Sequence, residues 1–315
     1  TVFISLFWCE AAMIFIVGVG RSGTSLIQSM LNAHPDIAFI PEINYIRRFL
    51  ATQTLERIAK RAGVNGLIAL LLKDNRLQRL EIDLKSLLEW VDPQSRELRV
   101  DIYRAILQKH LKNEGKTIPG DKDPRSVEYL AVIAKYFPKA YIVHIIRDPR
   151  DILLSKMNAE WSRDRSVYLH VLANKVQLMM GMQEFKLFGE RYIEIKYEEL
   201  LADPEKTLKR LCEDLGIQYH DSMLDYTDSS RKLVADDEMA WKRETLGPLL
   251  KSNVGKWKDG LSSWNVALVE ELVDIAFDHY DYVKSKPQLR VGQRVIITLI
   301  KPLFHAVTVL RRAIK

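Results

Sequence analysis

An apolar run that ends in a glycine-rich loop is the feature that most constrains the fold. Residues Met13 to Val19 (MIFIVGV) predict a buried strand, and an apolar pattern typical of a helix follows from Thr24 to Leu31. Between them lies GVGRSGTS, Gly18 to Ser25. A strand that enters such a turn and opens a helix directs backbone N–H groups and the positive helix end at one point. The stretch therefore predicts a phosphate site in an α/β fold.

The loop lacks the lysine that phosphate-binding loops of this kind place after their last glycine. Gly23 is followed by Thr24 and Ser25, and the cation of the loop is Arg21. The lysine would contact the β- and γ-phosphates, and the hydroxyl after it would hold Mg²⁺, so a triphosphate is poorly served. We interpret Arg21 as a ligand for a less charged 5′ group that needs no metal, since a guanidinium suits a fork of oxygens. The alternative is a glycine turn that only joins strand to helix.

Two later apolar runs extend the α/β pattern. AYIVHII (Ala140 to Ile146) and RYIEIKY (Arg191 to Tyr197) predict further strands. Helical patterns lie around Val127 to Tyr136, from Asp148 or Pro149 onward, and from Pro204 to the stop at Gly216. The predicted fold class is α/β: a single P-loop-like domain over residues 13–285, with a central parallel sheet flanked by helices and a helical cap insertion at about 43–116. Such sheets bind ligands at the carboxyl ends of their strands.

A second charged motif, HIIRDPRDILLSKM, follows the predicted strand at Ala140 to Ile146. If a helix starts near Pro149, Ser155 lies about two turns along it from Arg147, and both could face one anion. Taken alone, Asp148 could be a metal-binding acid and Arg147 could form a surface ion pair with Asp151. We favour the view that the two aspartates orient Arg147 and Arg150.

GVGRSGTSLIQSMLNAHPDI and the distant YIVHIIRDPRDILLSKM together resemble the nucleotide motifs of sulfotransferases that use 3′-phosphoadenosine 5′-phosphosulfate (PAPS). The resemblance covers Met13 to about Tyr282 and implies a single α/β domain with a central parallel sheet. It implies that PAPS is the donor and that no metal is required. The residues implied to bind the 5′-phosphosulfate are Gly20, Arg21, Ser22, Gly23, Thr24 and Ser25, and those implied to bind the 3′-phosphate are Arg147 and Ser155.

The family also has a late basic loop before a tryptophan that closes over the nucleotide, and KSNVGKWK (Lys251 to Lys258) is similar. The resemblance implies that Lys251 and Lys256 contact phosphate and that Trp257 packs nearby. The alternative for Trp257 is an ordinary core anchor.

The resemblance also indicates a catalytic base. Cytosolic members of the family use a histidine near the strand before the second motif, but here that region is GDKDPRS. Tyrosylprotein, carbohydrate and bacterial sulfotransferases have instead a glutamate soon after the loop helix and a KDP element, which correspond to Glu42 and to Lys122. This implies Glu42 as general base, with Lys122 and Arg21 stabilising charge on the transferring group. Without the resemblance, Glu42 is more typical of an acid in the first turn of a helix.

The predicted function is transfer of a sulfuryl group from PAPS to a hydroxyl acceptor, with the cap and the stretch around Trp161 to Lys186 forming the acceptor pocket. We associate the acceptor with carbohydrate or lipid-linked compounds. The alternative function is a P-loop kinase-like protein or nucleotide-binding scaffold at a membrane surface. A 3′-phosphate site at Arg147 and Ser155 would distinguish the first from the second.

The basic charge of the chain is concentrated in its tail. Residues 290–315 contain no Asp or Glu and six Lys or Arg residues, which equals the net charge of +6, so no nucleic-acid partner is predicted. The segment has the pattern of a basic amphipathic helix that Pro302 would kink or start. Two alternatives remain open for it, namely docking on the domain and peripheral contact with an anionic membrane.

The amino-terminal residues and the cysteines complete the sequence predictions. Met13 directly precedes the first apolar strand, and we expect residues 1–12 to be an upstream or disordered segment. The two cysteines, Cys9 and Cys212, cannot form a disulfide framework, which favours a reducing compartment. The predicted location is the cytoplasm, with peripheral membrane contact through the tail as the alternative.

Overall fold

A parallel β-sheet organises the protein, whose computed structural model describes residues 13–88, 91–233, 247 and 249–313. All four strand pairings are parallel, and the strand order is β2-β3-β1-β4-β5. The strands are β1 (Ile14–Gly18), β2 (Ile37–Phe39), β3 (Ile118–Lys122), β4 (Tyr141–Ile146) and β5 (Tyr192–Lys196). The predicted parallel α/β sheet is confirmed.

Helices connect the strands and cover both faces of the sheet. They are α1 (Thr24–Asn32), α2 (Thr54–Leu72), α3 (Asn75–Gln78), α4 (Leu84–Leu88), α5 (Leu98–Glu114), α6 (Leu130–Tyr136), α7 (Pro149–Asn158), α8 (Val167–Glu184), α9 (Tyr197–Ala202), α10 (Pro204–Leu215), α11 (Thr227–Leu233), α12 (Trp257–Gly260), α13 (Ser263–Leu272), α14 (Asp274–His279) and α15 (Val291–Ala313). A π-helical turn at Ile46–Leu50 and short 3₁₀ turns, including Pro124–Tyr129 and Lys251–Asn253, complete the secondary structure.

Alternate residues of β1 belong to two different cores. Phe15 and Val17 pack with the helices of the insertion, whereas Ile14 and Ile16 pack with α1 and α10. Side chains of a strand alternate between its faces, and a strand covered on both faces is therefore apolar throughout. This explains why the continuous run at β1 is the central strand.

The segment between β2 and β3 forms the predicted helical insertion, with α2 to α5. Most of its apolar side chains are buried in the core on one face of the sheet. Tyr45 and Tyr103 stack there with ring centroids 4.5 Å apart. The insertion is thus largely a packed layer, and only a few of its basic side chains reach the cavity described below.

The carboxyl-terminal helix α15 docks on the domain through one face. Ile297, Phe304 and Thr308 are buried, and Lys301 lies 3.7 Å from Glu271 Oε2 and 3.6 Å from Asp274 Oδ2. The helix continues through Pro302, so the alternative that it starts there is wrong. Over Val291–Arg311 its mean hydropathy is 1.3, and it is long enough to cross a bilayer.

Two strands differ from the sequence expectation. The predictions contained β1, β4 and β5 within a residue of their ends, but neither β2 nor β3. β2 has three residues, and β3 (IPGDK) contains a proline and a glycine, which are uncommon inside strands. The prediction for residues 1–12 lies outside the described residues.

Candidate functional site

The loop after β1 takes its shape from two left-handed backbone positions. Arg21 has a φ of 78° and Gly23 a φ of 105°, and Ser22 N–H donates to Val19 O at 2.9 Å. A Cβ added at Gly23 would lie 2.3 Å from Cδ2 of Tyr197. Gly23 is therefore required both by its conformation and by the ring packed against it.

The loop delivers the amino terminus of α1 to a large cavity. No side chain caps this terminus, so its first N–H groups remain available to an anion. Gly20, Arg21, Gly23, Thr24 and Ser25, for which the sequence predicts phosphate binding, line the cavity. Ser22 is fully buried instead, and its Oγ has no hydrogen-bond partner among the described residues and does not line the cavity.

Arg147 and Ser155 meet the loop from β4 and α7. Arg147 donates from Nη1 to Arg21 O at 3.0 Å, and its guanidinium lies 4.3 Å from the ring centroid of Tyr197. Arg21 Nε donates to Ser155 Oγ at 2.9 Å. Because Asp148 caps α7 and the helix begins at Pro149, Ser155 is carried back toward the loop. The two sequence motifs therefore converge on one site.

Glu42 and Lys122 form a pair on the other side of the loop. Lys122 is the buried last residue of β3 and donates through Nζ to Glu42 Oε2. Asp123, next in the chain, accepts from Arg47 Nε at 3.0 Å. Burial and then the nearby Glu42 raise the pKa of Asp123. Glu42 and Lys122 both line the cavity, so the two predicted catalytic residues share it with the loop.

The late loop is present, but its predicted nucleotide contacts are not directed into the cavity. Lys251 is exposed and donates to Ala202 O at 3.4 Å, and Lys256 is exposed as well. Trp257 is buried, and the guanidinium of Arg150 lies 3.8 Å from its ring centroid, an arrangement that favours the core-anchor alternative. Asn253 is the residue of this loop that lines the cavity, and its carbonyl accepts from Arg147 Nη2 at 2.8 Å.

Asp151 fastens the late loop to α7, a role that the sequence analysis missed. Its carboxylate accepts from Gly255 N–H at 2.7 Å and from Trp257 N–H at 2.9 Å. Asp148 orients Arg150, with 2.7 Å between Oδ2 and Nη2. Asp151 instead accepts hydrogen bonds from the late loop. Burial raises the pKa of Asp151, and the two backbone hydrogen bonds oppose that rise.

Tyr197 is the second residue that sequence reasoning missed. It directly follows β5, and its ring contacts both the loop at Gly23 and the guanidinium of Arg147. The sequence feature that could have identified Tyr197 is its position at the carboxyl end of a predicted strand.

The cavity has a volume of about 930 Å³, and most of the charged residues in its lining are basic. One side contains the loop, Arg147 and the Glu42–Lys122 pair. The other side comes from α7, α8 and the segment between them, and its lining residues after α7 fall within the stretch at 161–186. Its cavity-lining residues include Lys156, Trp161, Arg165, Leu169, His170, Leu172, Ala173 and Val176, and Arg311 of α15 also lines the cavity.

Known proteins are similar to this chain in sequence. Protein-tyrosine sulfotransferase 1 of Danio rerio is 27% identical over 224 residues, which cover 70% of this chain and 57% of the relative, so the chain spans little more than half of that protein. A putative protein-tyrosine sulfotransferase of Caenorhabditis briggsae is 25% identical over 286 residues, which cover 87% of this chain and 91% of the relative.

The fold is also found in a solved structure. The sulfotransferase domain from the curacin biosynthetic pathway superposes with a TM-score of 0.57 at 17% identity, covering 87% of this chain and 98% of that one. A sequence model described as "Sulfotransferase family" matches residues 13–221, from β1 through α10. The predicted resemblance is confirmed, and the chain belongs to the sulfotransferase family.

Proposed function

We propose that the chain transfers a sulfuryl group from PAPS to a hydroxyl group of a carbohydrate or lipid-linked acceptor. The observation that carries this proposal is the convergence of the loop, Arg147 and the Glu42–Lys122 pair on one cavity, with Ser155 hydrogen-bonded to Arg21 beside it. These residues follow or end four neighbouring parallel strands, where ligands of such sheets bind.

The donor would be bound by two groups of residues. The N–H groups at the start of α1 and the side chains of Arg21, Thr24 and Ser25 suit the 5′-phosphosulfate. Arg147 and Ser155 suit the 3′-phosphate, and the Arg21–Ser155 hydrogen bond of 2.9 Å joins the two subsites. PAPS supplies an activated sulfuryl group on a phosphate leaving group.

The chemistry is an in-line displacement that depends on position and charge stabilisation. The acceptor oxygen forms the new S–O bond, and the S–O bond to the 5′-phosphate breaks with its electron pair on adenosine 3′,5′-bisphosphate. Glu42 accepts the hydroxyl proton, and Lys122 with Arg21 stabilises charge on the sulfuryl and leaving oxygens. The Lys122–Glu42 contact keeps the base beside the cation that must act in the same step.

The apolar side of the cavity supports an acceptor with a nonpolar portion. Leu169 is 57% exposed and Trp161 is 47% exposed, and both line the cavity together with Leu172 and Val176. Glycans that stack on aromatic rings and lipid-linked sugars fit this lining. Because the relatives are named protein-tyrosine sulfotransferases, the hydroxyl of a protein tyrosine is a further acceptor to screen.

Calorimetric titration of the full chain tests the donor proposal. We expect adenosine 3′,5′-bisphosphate to bind tightly with or without Mg²⁺, and to bind more tightly than ATP with Mg²⁺. Preference for ATP with the metal would reject the proposal and favour the kinase-like alternative.

The membrane proposal concerns the face of α15 that points away from the domain. Val295, Leu299 and Leu303 are exposed, with exposed fractions of 69% for Leu299 and 61% for Leu303. They lie opposite the docked stripe of Ile297 and Phe304 on the helix. The helix can therefore dock by one face and contact an anionic membrane by the other, which would make the chain a cytoplasmic protein peripheral to the membrane.

Cosedimentation with vesicles of anionic phospholipid tests that contact. The double substitution Leu299→Glu and Leu303→Glu should abolish binding because it places two negative charges on the apolar face. Val283→Glu is the matched control, since Val283 is 81% exposed and lies outside the helix. Equal sedimentation of all three proteins would reject membrane contact.

A further inference from the structure

Lys156 is a buried cation on the cavity wall that the proposed donor and base do not use. It lies on α7, is 5% exposed and lines the cavity. Its Nζ donates to Asn174 Oδ1 at 2.7 Å. Among the described residues, no carboxylate lies within ion-pair distance of this amine.

Other buried lysines of the protein have acidic partners. Lys122 contacts Glu42, and Lys175 Nζ lies 3.0 Å from Asp274 Oδ1. Buried charges are normally paired in this way, because an isolated ammonium loses its hydration without compensation. Lys156 is thus an exception that needs a reason.

Within the described part of the chain, the groups that face Lys156 include a positive charge and no negative one. They come from α8 and from the segment before it: Asn174 is the hydrogen-bond partner, Arg165 is the charged neighbour, and His170 lies nearby with Nε2 3.0 Å from Ser162 O. Burial, and then Arg165, lowers the pKa of Lys156 to about 7. An anion bound here would restore the charged form and take up a proton.

The donor nucleotide is not the source of that anion. Successive residues of an α-helix point about 100° apart, and Ser155 faces Arg21 whereas Lys156 faces Asn174 on α8. Lys156 is therefore directed to the side of the cavity that contains Trp161 and Leu169, where the acceptor would lie.

We propose that Lys156, with Arg165 and His170, binds an anionic group of the acceptor. The inference rests on the proposed function and narrows its substrate class to hydroxyl compounds that also have a carboxylate or phosphate. An acidic glycan and a phosphate-linked lipid sugar share this chemistry.

Binding of two matched probes to the full chain tests the inference. In the presence of saturating adenosine 3′,5′-bisphosphate, 6-hydroxy-2-naphthoate should bind at least about 10-fold more tightly than 2-naphthol, since a charged hydrogen bond is strong when buried. The Lys156→Met variant should lose that preference, and Lys156→Arg should retain part of it. Binding of the naphthoate at pH 7 should also take up protons in the wild type and not in Lys156→Met.

The matched control is Lys175→Met, which removes another buried lysine next to α8's Asn174 in the chain and leaves Asp274 with Lys301 at 3.6 Å. It should keep the naphthoate preference. Equal binding of the two probes, no detectable binding of the naphthoate, or an unchanged preference in Lys156→Met would overturn the inference.

Binding of adenosine 3′,5′-bisphosphate distinguishes failure of the inference from failure of the proposed function. Lys156→Met should bind adenosine 3′,5′-bisphosphate as the wild type does, and a large loss would assign Lys156 to the donor site and overturn the inference. A wild type that does not bind the bisphosphate would reject the proposed function itself. With the naphthoate preference confirmed, a phosphorylated naphthol with a free hydroxyl would distinguish phosphate from carboxylate recognition.

Discussion

The two sides of the cavity differ in how their cations are compensated. On the loop side, Lys122 contacts Glu42, and Arg147 donates to two backbone carbonyls. On the α8 side, Lys156 has an amide oxygen as its acceptor and Arg165 as its charged neighbour. Paired charges fix geometry before a ligand arrives, whereas an uncompensated one leaves binding energy for the ligand. This difference supports the proposal that the loop side is preorganised for the donor, whereas the α8 side leaves binding energy for the acceptor.

Substitution of Glu42, the proposed base, should lower turnover more than any other change described below. Glu42→Gln should lower turnover about 10²- to 10⁴-fold, because an amide cannot accept the hydroxyl proton. The affinity for adenosine 3′,5′-bisphosphate should stay within about twofold. Transfer of a radiolabelled sulfuryl group to 6-hydroxy-2-naphthoate measures the first, and calorimetry the second. Glu114→Gln, an exposed glutamate at the end of α5, is the control, and near-normal turnover in Glu42→Gln would remove the assignment.

Arg147 tests whether the donor side depends on a preformed network. Arg147→Ala should weaken bisphosphate binding about 100-fold or more, since it removes charged hydrogen bonds to the ligand and the contacts to Arg21 O and Asn253 O. Arg210→Ala, a half-exposed arginine on α10, should have no effect in the same titration. An affinity within twofold of the wild type would show that the 3′-phosphate lies elsewhere.

The residues proposed to bind the donor could be predicted from the sequence because local motifs determine them. The apolar runs at β1, β4 and β5 and the motifs that follow them place Arg21, Arg147 and Ser155 together once the strands are parallel. β3 was not predicted because a proline and a glycine interrupt its strand pattern. The strand nevertheless positions Lys122. The acceptor side has no motif, since it depends on which face of α8 meets α7.

The late loop shows the limit of motif reasoning. KSNVGKWK suggested lysines on phosphate, but the folded loop exposes Lys251 and Lys256 and anchors itself through backbone N–H groups on Asp151. Asp151 and Gly255 are far apart in the chain, and no local pattern relates a carboxylate to distant backbone donors. Such contacts follow only from tertiary packing.

Asp151→Asn tests whether nucleotide affinity depends on the anchored late loop, and its expected effect on affinity is smaller than that of Arg147→Ala. The amide offers one acceptor oxygen where the carboxylate offers two, so the loop at Gly255 should loosen and bisphosphate affinity should fall about 10-fold. The free energy of unfolding should drop by about 1–2 kcal/mol, measured by urea denaturation. Because the Asp148 carboxylate accepts hydrogen bonds from Arg150 and not from the backbone of the late loop, Asp148→Asn should lower stability with a smaller effect on nucleotide affinity. The reverse order would contradict the anchoring role of Asp151.

Substitution of Lys156 should leave nucleotide affinity unchanged, and its effect is measured as stability instead. Lys156→Met should stabilise the unliganded protein by about 1–3 kcal/mol below pH 7, because a neutral side chain of similar length removes an unpaired buried charge.

The pH dependence identifies that charge as the cause. The pKa of Lys156 is about 7 in the folded protein and near 10.5 in the unfolded chain. Between these values the unfolded chain binds the extra proton, so wild-type stability rises with pH by roughly 1 kcal/mol per unit from this group. The advantage of Lys156→Met should therefore shrink from pH 6.5 to pH 9.5 in urea denaturation, whereas Lys175→Met should lose stability at both. An advantage that stayed constant with pH would mean that the amine is compensated in the unliganded protein, and the contrast between the two sides of the cavity would no longer hold.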